Sequence, residues 1–202
     1  NNYTGTITGE ATNNDELKMD TGSDISSATL TNIEDLELVN NASVSMTASQ
    51  NAAFSGTITA GAAETINITD DNNVTTLTNV ETYVVGDTAQ TNDGTFTVTI
   101  TDTDTSVTAN DNGDTVTFDI GTNNYTGTIT GEATANDELK MDTGSNVSTA
   151  TLTNIEDLEL VDGASVSMIA SQNAAFTGTI TAGASETINI TDDNNVTTLT
   201  NV

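Results

Sequence analysis

The sequence predicts an all-β protein built as a β-solenoid, a stack of parallel β-helix-like coils with room for hairpin outgrowths. Three observations carry this expectation. Apolar and hydroxyl residues alternate with period two in many short runs, the pattern of strands with one buried side. Residues 1–80 match residues 123–202 without a gap at an offset of 122, with nine positions differing. A shorter repeat lies inside the long one, as expected of coils that bury their apolar side only by stacking on a neighbour.

Strand-like runs follow one another along the chain. "YTGTIT" begins at Tyr3, "DELKM" at Asp15 and "TLTNIEDLEL" at Thr29, the last returning unchanged at Thr151. Its Leu30, Ile33, Leu36 and Leu38 are the expected inward residues, and "TNIEDLEL" has room for a short helical turn before its strand. "ASVSM", "ETINIT" and "ETYVV" continue the alternation, and "TFTVTIT" places Phe96, Val98 and Ile100 on one side. "SVTANDNGDTVTF" (106–118) predicts a hairpin around Asn112-Gly113, a dipeptide suited to a type I′ turn. Clusters of Gly, Asn and Asp separate the runs and favour turns.

The inner repeat pairs "YTGTIT" with "FSGTIT", "DELKM" with "ETINIT", and "ATLTNIEDLEL" with "TTLTNVETYVV". The chain therefore divides into a first full repeat, 1–122, with sub-units 3–53, 54–94 and 95–124, and a truncated second repeat, 123–202. It reads as a window on a longer array. Tandem β-sandwich domains are the alternative architecture; the inner copies and the absence of Trp count against them.

Composition narrows function. Two Lys+Arg against 30 Asp+Glu give a net charge of −28, which excludes a phosphate-backbone partner such as nucleic acid. With 34% hydrophobic and 3% aromatic residues the core must be thin. Low hydrophobicity with high charge is also the signature of disorder, but here the apolar residues are patterned. Without Cys or His there are no disulfides, thiolate zinc sites or imidazole chemistry. Adjacent carboxylates such as Glu34 and Asp35 point to opposite sides of a strand, so the chain is not expected to be an enzyme. No apolar run reaches the ~18 residues of a membrane span, and "NNYTGTITGE" lacks the regions of a signal peptide.

Calcium is the expected cofactor, because it takes oxygens from carboxylates, amides and carbonyls, all abundant here. Candidate ligands are Asp70 and Asp71 with their copies Asp192 and Asp193, then Asp102 and Asp104, and Asp111 and Asp114. Asp102-x-Asp104-x-Ser106 begins like an EF-hand loop but lacks its later Gly and Glu, leaving an irregular loop site. The competing reading of each cluster is a solvated turn in which Asp and Asn bond nearby backbone. Lys18 and Lys140, the only cations, are expected to pair locally with Asp15, Glu16 or Asp20 and their copies. The Thr-x-Thr runs resemble ice-binding faces, but their spacing along the chain is irregular, and β-propensity explains Thr on an exposed strand.

At "TLTNIEDLEL", "AAETINITDDNN" and "TLTNVETYVV" the chain resembles the β-strand repeats of giant bacterial surface proteins, the surface-layer and calcium-dependent RTX-associated adhesin type. The likeness covers residues 3–85 and 125–202; the RTX nonapeptide itself is missing, "NDNGDTVTF" being a degenerate echo. The resemblance implies an extracellular, cell-surface structural role. Self-association into a filament or lattice, binding of divalent cations and a stalk of an adhesin are the corresponding expectations.

Overall fold

A computed structural model describes residues 1–75, 79–88, 94–110 and 113–196. The first stretch holds β1 (Thr6–Thr8), β2 (Glu16–Met19), β3 (Thr29–Thr31), β4 (Asp35–Leu38), β5 (Ser43–Met46), α1 (Ala48–Ala53), β6 (Ile58–Thr59) and β7 (Thr65–Ile68). β8 (Thr82–Val85), β9 (Thr95–Thr99), β10 (Ser106–Ala109) and β11 (Thr115–Asp119) complete the first repeat. The second repeat holds β12 (Thr128–Thr130), β13 (Glu138–Met141), β14 (Thr151–Thr153), β15 (Asp157–Leu160), β16 (Ser165–Met168), α2 (Ala170–Ala175), β17 (Ile180–Thr181) and β18 (Thr187–Ile190).

Every described ladder is parallel, and partners lie about one coil apart: Leu36 pairs with Ile58, Ser43 with Thr65, and Val107 with Ile129. The result is a parallel β-solenoid of about eight turns. Tandem sandwiches, whose sheets are antiparallel, are ruled out by this pairing. Each turn runs through three segments, so the stack has three faces. The first face carries β5, β7, β8, β10, β12 and β14 in one sheet, continued by the bridges of Asp24 with Ser45 and with Asn2. The second holds β1 and β3, then α1, then Val74 bridged to Val98 and the sheet β9, β11, β13, β15, β17. The third runs from β2, β4 and β6 through Asn79 and Thr105 to the Asn124, Asn146 and Ser167 bridges, with β16 and β18.

The two long repeats do not sit in phase on these faces. β1 and β3 lie on the second face, yet their copies β12 and β14 lie on the first. β2 and β4 lie on the third face and their copies β13 and β15 on the second; β5 and β7 lie on the first and β16 and β18 on the third. A repeat of 122 residues is thus a whole number of turns less one face. At roughly 22 residues per turn that is about five and two-thirds turns, an axial advance of ~27 Å with strands ~4.8 Å apart. Cryo-electron microscopy of a protein carrying several repeats is expected to show this advance and a rotation of one third of a turn per repeat. A whole-turn repeat, with no rotation, is the result that contradicts it.

Packing follows the alternation. Phe96, Val98 and Ile100 are buried on one side of β9, and Leu36, Leu38 and Ile33 are buried while Leu30 is half-buried against the same core. The interior is mostly small aliphatic, with Phe118, Tyr83 and Tyr125 as its largest members. Each stacked coil seals the one before it, so no central globule is needed.

Two expectations are corrected. "SVTANDNGDTVTF" is not a hairpin: β10 lies in the sheet of the first face and β11 in that of the second, each paired in parallel with other coils. The Asn112 of the expected turn lies outside the described residues. "TNIEDLEL" contains a bend between two strands rather than a helical turn; the helices are "ASQNAA" in both repeats. Thr47 caps α1 by accepting from Gln50 N at 3.2 Å, while Ile169 at the copied position has no side-chain cap. In both helices the Gln side chain reaches into the preceding coil: Gln50 Nε2 donates to Ile25 O at 2.6 Å and Ala28 O at 2.8 Å, and Gln172 repeats this on Val147 and Ala150. This long-range anchor is absent from any helix-propensity argument.

Candidate functional site

The corners between faces are where the acidic residues act, because there the strand ladder is interrupted and backbone N–H groups need other acceptors. The recurring Leu-Thr-Asn-(Ile/Val)-Glu phrase builds one such corner. Its Asn turns the chain in the left-handed conformation, at φ 52° in Asn32, 58° in Asn79 and 51° in Asn154, which Asn tolerates better than other side chains. The same Asn amide donates across coils, Asn32 to Gly9 O, Asn79 to Ile58 O and Asn154 to Gly131 O. The Glu two residues later accepts a backbone N–H of the preceding coil: Glu34 from Asp15, Glu81 from Glu64, Glu156 from Asp137, at 3.2–3.3 Å. Gly9 is needed beside this corner, because a Cβ there would lie 2.1 Å from Asn32 O.

Asp side chains extend the same device. Asp137, fully buried, accepts from Val116 N at 2.7 Å and from Glu132 N at 2.6 Å. Asp35 and Asp157 accept from Thr57 N and Thr179 N, one coil further on, both at 2.5 Å. Charge-assisted bonds of this kind are stronger than neutral ones. They explain how a chain with few apolar residues holds its coils together.

The sequence-proposed metal residues fall into three groups. Asp70 Oδ1 accepts from Ala48 N at 2.7 Å and its copy Asp192 from Ala170 N at 2.9 Å; this bond, with one from Asn194, holds the Asp192 carboxyl below the usual range. These two are helix-to-coil staples, each bonded across 22 residues. Asp71 and Asp114, distant in sequence, meet around a cavity of about 110 Å³ also lined by Gly94, Thr95 and Phe96. There Asp71 accepts from Asp87 N at 2.6 Å, and the buried Asp114 accepts from Gly94 N at 3.2 Å. Asp193, the copy of Asp71, is exposed.

Asp102 and Asp104 line a larger groove of about 480 Å³ together with Glu81. Asp102 is engaged by Asn79 N at 3.3 Å and Thr103 N at 2.6 Å. Asp111 lies outside the described residues. Among the described residues no three carboxylates come close enough to hold a metal ion by themselves. Sequence reasoning placed Asp71 and Asp114 in separate loops; only coil stacking brings them to one cavity.

Two further side-chain expectations change. Lys18 pairs not with Asp15, Glu16 or Asp20 but with Glu37, its partner on the next coil, and Lys140 pairs with Glu159 at 3.2 Å. The hydrogen bond between them raises Lys18 and lowers Glu37 from their ordinary values. The Thr-x-Thr runs, irregular along the chain, are brought into register by the parallel pairing of strands from successive coils, whatever the length of chain between them. On the first face Ser43, Thr65, Thr82, Ser106, Thr128 and Thr151 form one outward row. Ser45, Asn67, Val84, Thr108, Thr130 and Thr153 form the row beside it.

Fold and corners together define a class: a tandem-repeat parallel β-solenoid whose coils are tied by carboxylates and Asn turns. No family model, no curated protein and no solved structure matches the chain.

Proposed function

We propose that the chain is a structural repeat module of an extracellular bacterial or archaeal surface-layer, filament or adhesin stalk, non-enzymatic and stabilised by calcium. The observation that supports it most is the burial of Tyr125, which is 0% exposed. Tyr125 is covered by the coil before it, donating its hydroxyl to Thr105 O and, at 3.1 Å, to Thr128 O. Burial and the nearby Asp104 and Asp102 carboxylates push that hydroxyl upward from its ordinary pKa. A coil that completes its core only against another coil is suited to making length. The acidic corners and hydroxyl faces keep that length hydrated.

Asp71 and Asp114, which line one cavity, are the residues that would hold calcium, a cation that accepts carboxylate oxygens. Binding to the folded chain alone raises its stability by mass action. The unfolding midpoint is expected to rise with calcium over a chelator at equal ionic strength, and Asp71→Asn to remove most of that rise. An unchanged midpoint with no calcium by elemental analysis removes calcium from the proposal. Surface location is tested separately, by immunogold labelling of intact cells of the producing organism; label confined to the cell interior contradicts it.

A further inference from the structure

We infer that the first face is where a second copy of this chain docks, side against side; this rests on the self-associating role proposed above and names its contact. The two outward rows of that face occupy six adjacent strands and contain hydroxyls, one Asn and one Val, with no charged residue. The other faces differ. Asp119, Glu138, Asp157 and Glu159 point outward on the second, and Glu16, Asp35 and Glu37 on the third. In a chain of net charge −28, two copies repel wherever carboxylates oppose each other. The six strands of the first face form a strip on which they do not, bounded at one end by Asp24, which bridges to Ser45.

Its chemistry is also self-complementary. A hydroxyl both donates and accepts, so a row of Ser and Thr meets its own copy without leaving a group unpaired. Val84 adds an apolar centre to the strip. A symmetric pairing uses the same patch on both copies. The strip spans about 24 Å by about 10 Å, taking strands ~4.8 Å apart, well under the ~800 Å² per partner of a stable interface. A single strip therefore gives a weak lateral contact that gains strength by recurrence. Because each long repeat is turned by one face, successive strips in an array point in three directions, which joins rods into bundles or sheets rather than pairs.

The test is sedimentation equilibrium of the whole chain at high protein concentration, in low salt and in ~1 M salt, where the Debye length falls to ~3 Å. The mean mass is expected to rise above the 20.8 kDa monomer with concentration, more so in high salt. Thr108→Asp on β10, in the middle of the strip, is expected to weaken association about tenfold or more, since it sets like charges against each other across the contact. Thr97→Asp on β9 of the second face is the control and is expected to leave it unchanged; unfolding midpoints establish that both variants are folded. A mass that stays monomeric in high salt overturns the inference. Association weakened equally by both substitutions overturns the assignment of this face while leaving self-association intact. Thermal hysteresis without association assigns the hydroxyl rows to ice and overturns it as well.

Discussion

Leu36→Asp is expected to abolish cooperative folding of the coils around it, while Thr4→Asp leaves the denaturant midpoint nearly unchanged. Leu36 is 0% exposed and lies between Leu17 of β2 and Ile58 of β6 on the third face. A carboxylate there would lie within the buried apolar core, and the lost apolar contacts add to its desolvation. Together these place the cost at roughly 4 kcal/mol or more, at the extreme of single substitutions. Thr4 is exposed, where changes stay within about 0.5 kcal/mol. Equal tolerance of the two in denaturant melts means that the inward assignment is wrong.

The second large effect is at a polar residue. Asp137→Ala is expected to cost about 2 to 5 kcal/mol, because it strips the acceptor from Val116 N and Glu132 N within the stack. Asp15, the copy of Asp137, is its internal control. In the first coil Asp15 accepts from Glu10 N at 2.5 Å at an exposed corner, so Asp15→Ala is expected to cost about 1 kcal/mol or less. The comparison is read from the denaturation midpoints of two variants of one chain. If both substitutions cost the same, coil-to-coil acceptance by carboxylates is not what ties the corners.

The two substitutions probe the two halves of the coil. Leu36 stands for the strand interior, where alternation decides burial. Asp137 stands for the corner, where the ladder stops and a carboxylate takes over. A solenoid is nearly one-dimensional, so each effect is expected to spread only to adjacent coils.

Much of this was legible in the residues themselves. Period-two alternation is a local property, and it marked Phe96, Val98, Ile100, Leu36 and Leu38 as inward before any coil was closed. The inner and outer repeats announced stacking, since identical segments that cannot bury their apolar side alone must do so on one another. The role of the acidic residues was half legible: their turn chemistry is local, and Asp70 and Asp192 show that part of it in the amides they accept from Asn72 and Asn194. Their partners were not, because acceptance runs from one coil to the next, about 22 residues away, as from Asp157 to Thr179.

By itself, then, the sequence determined the class of fold, the inward residues and the existence of repeats, all of which depend on neighbours within a few positions. Tertiary structure alone decided what depends on coil length. It set β10 and β11 on different faces where a hairpin was expected, and it joined Lys18 to Glu37. It brought Asp71 to Asp114 and aligned irregular Thr-x-Thr runs into two rows. It also turned the second repeat by one face. The physical reason is common to all five: corners vary in length without disturbing the strands, so distance along the chain does not fix which residues meet across coils until parallel pairing sets the register.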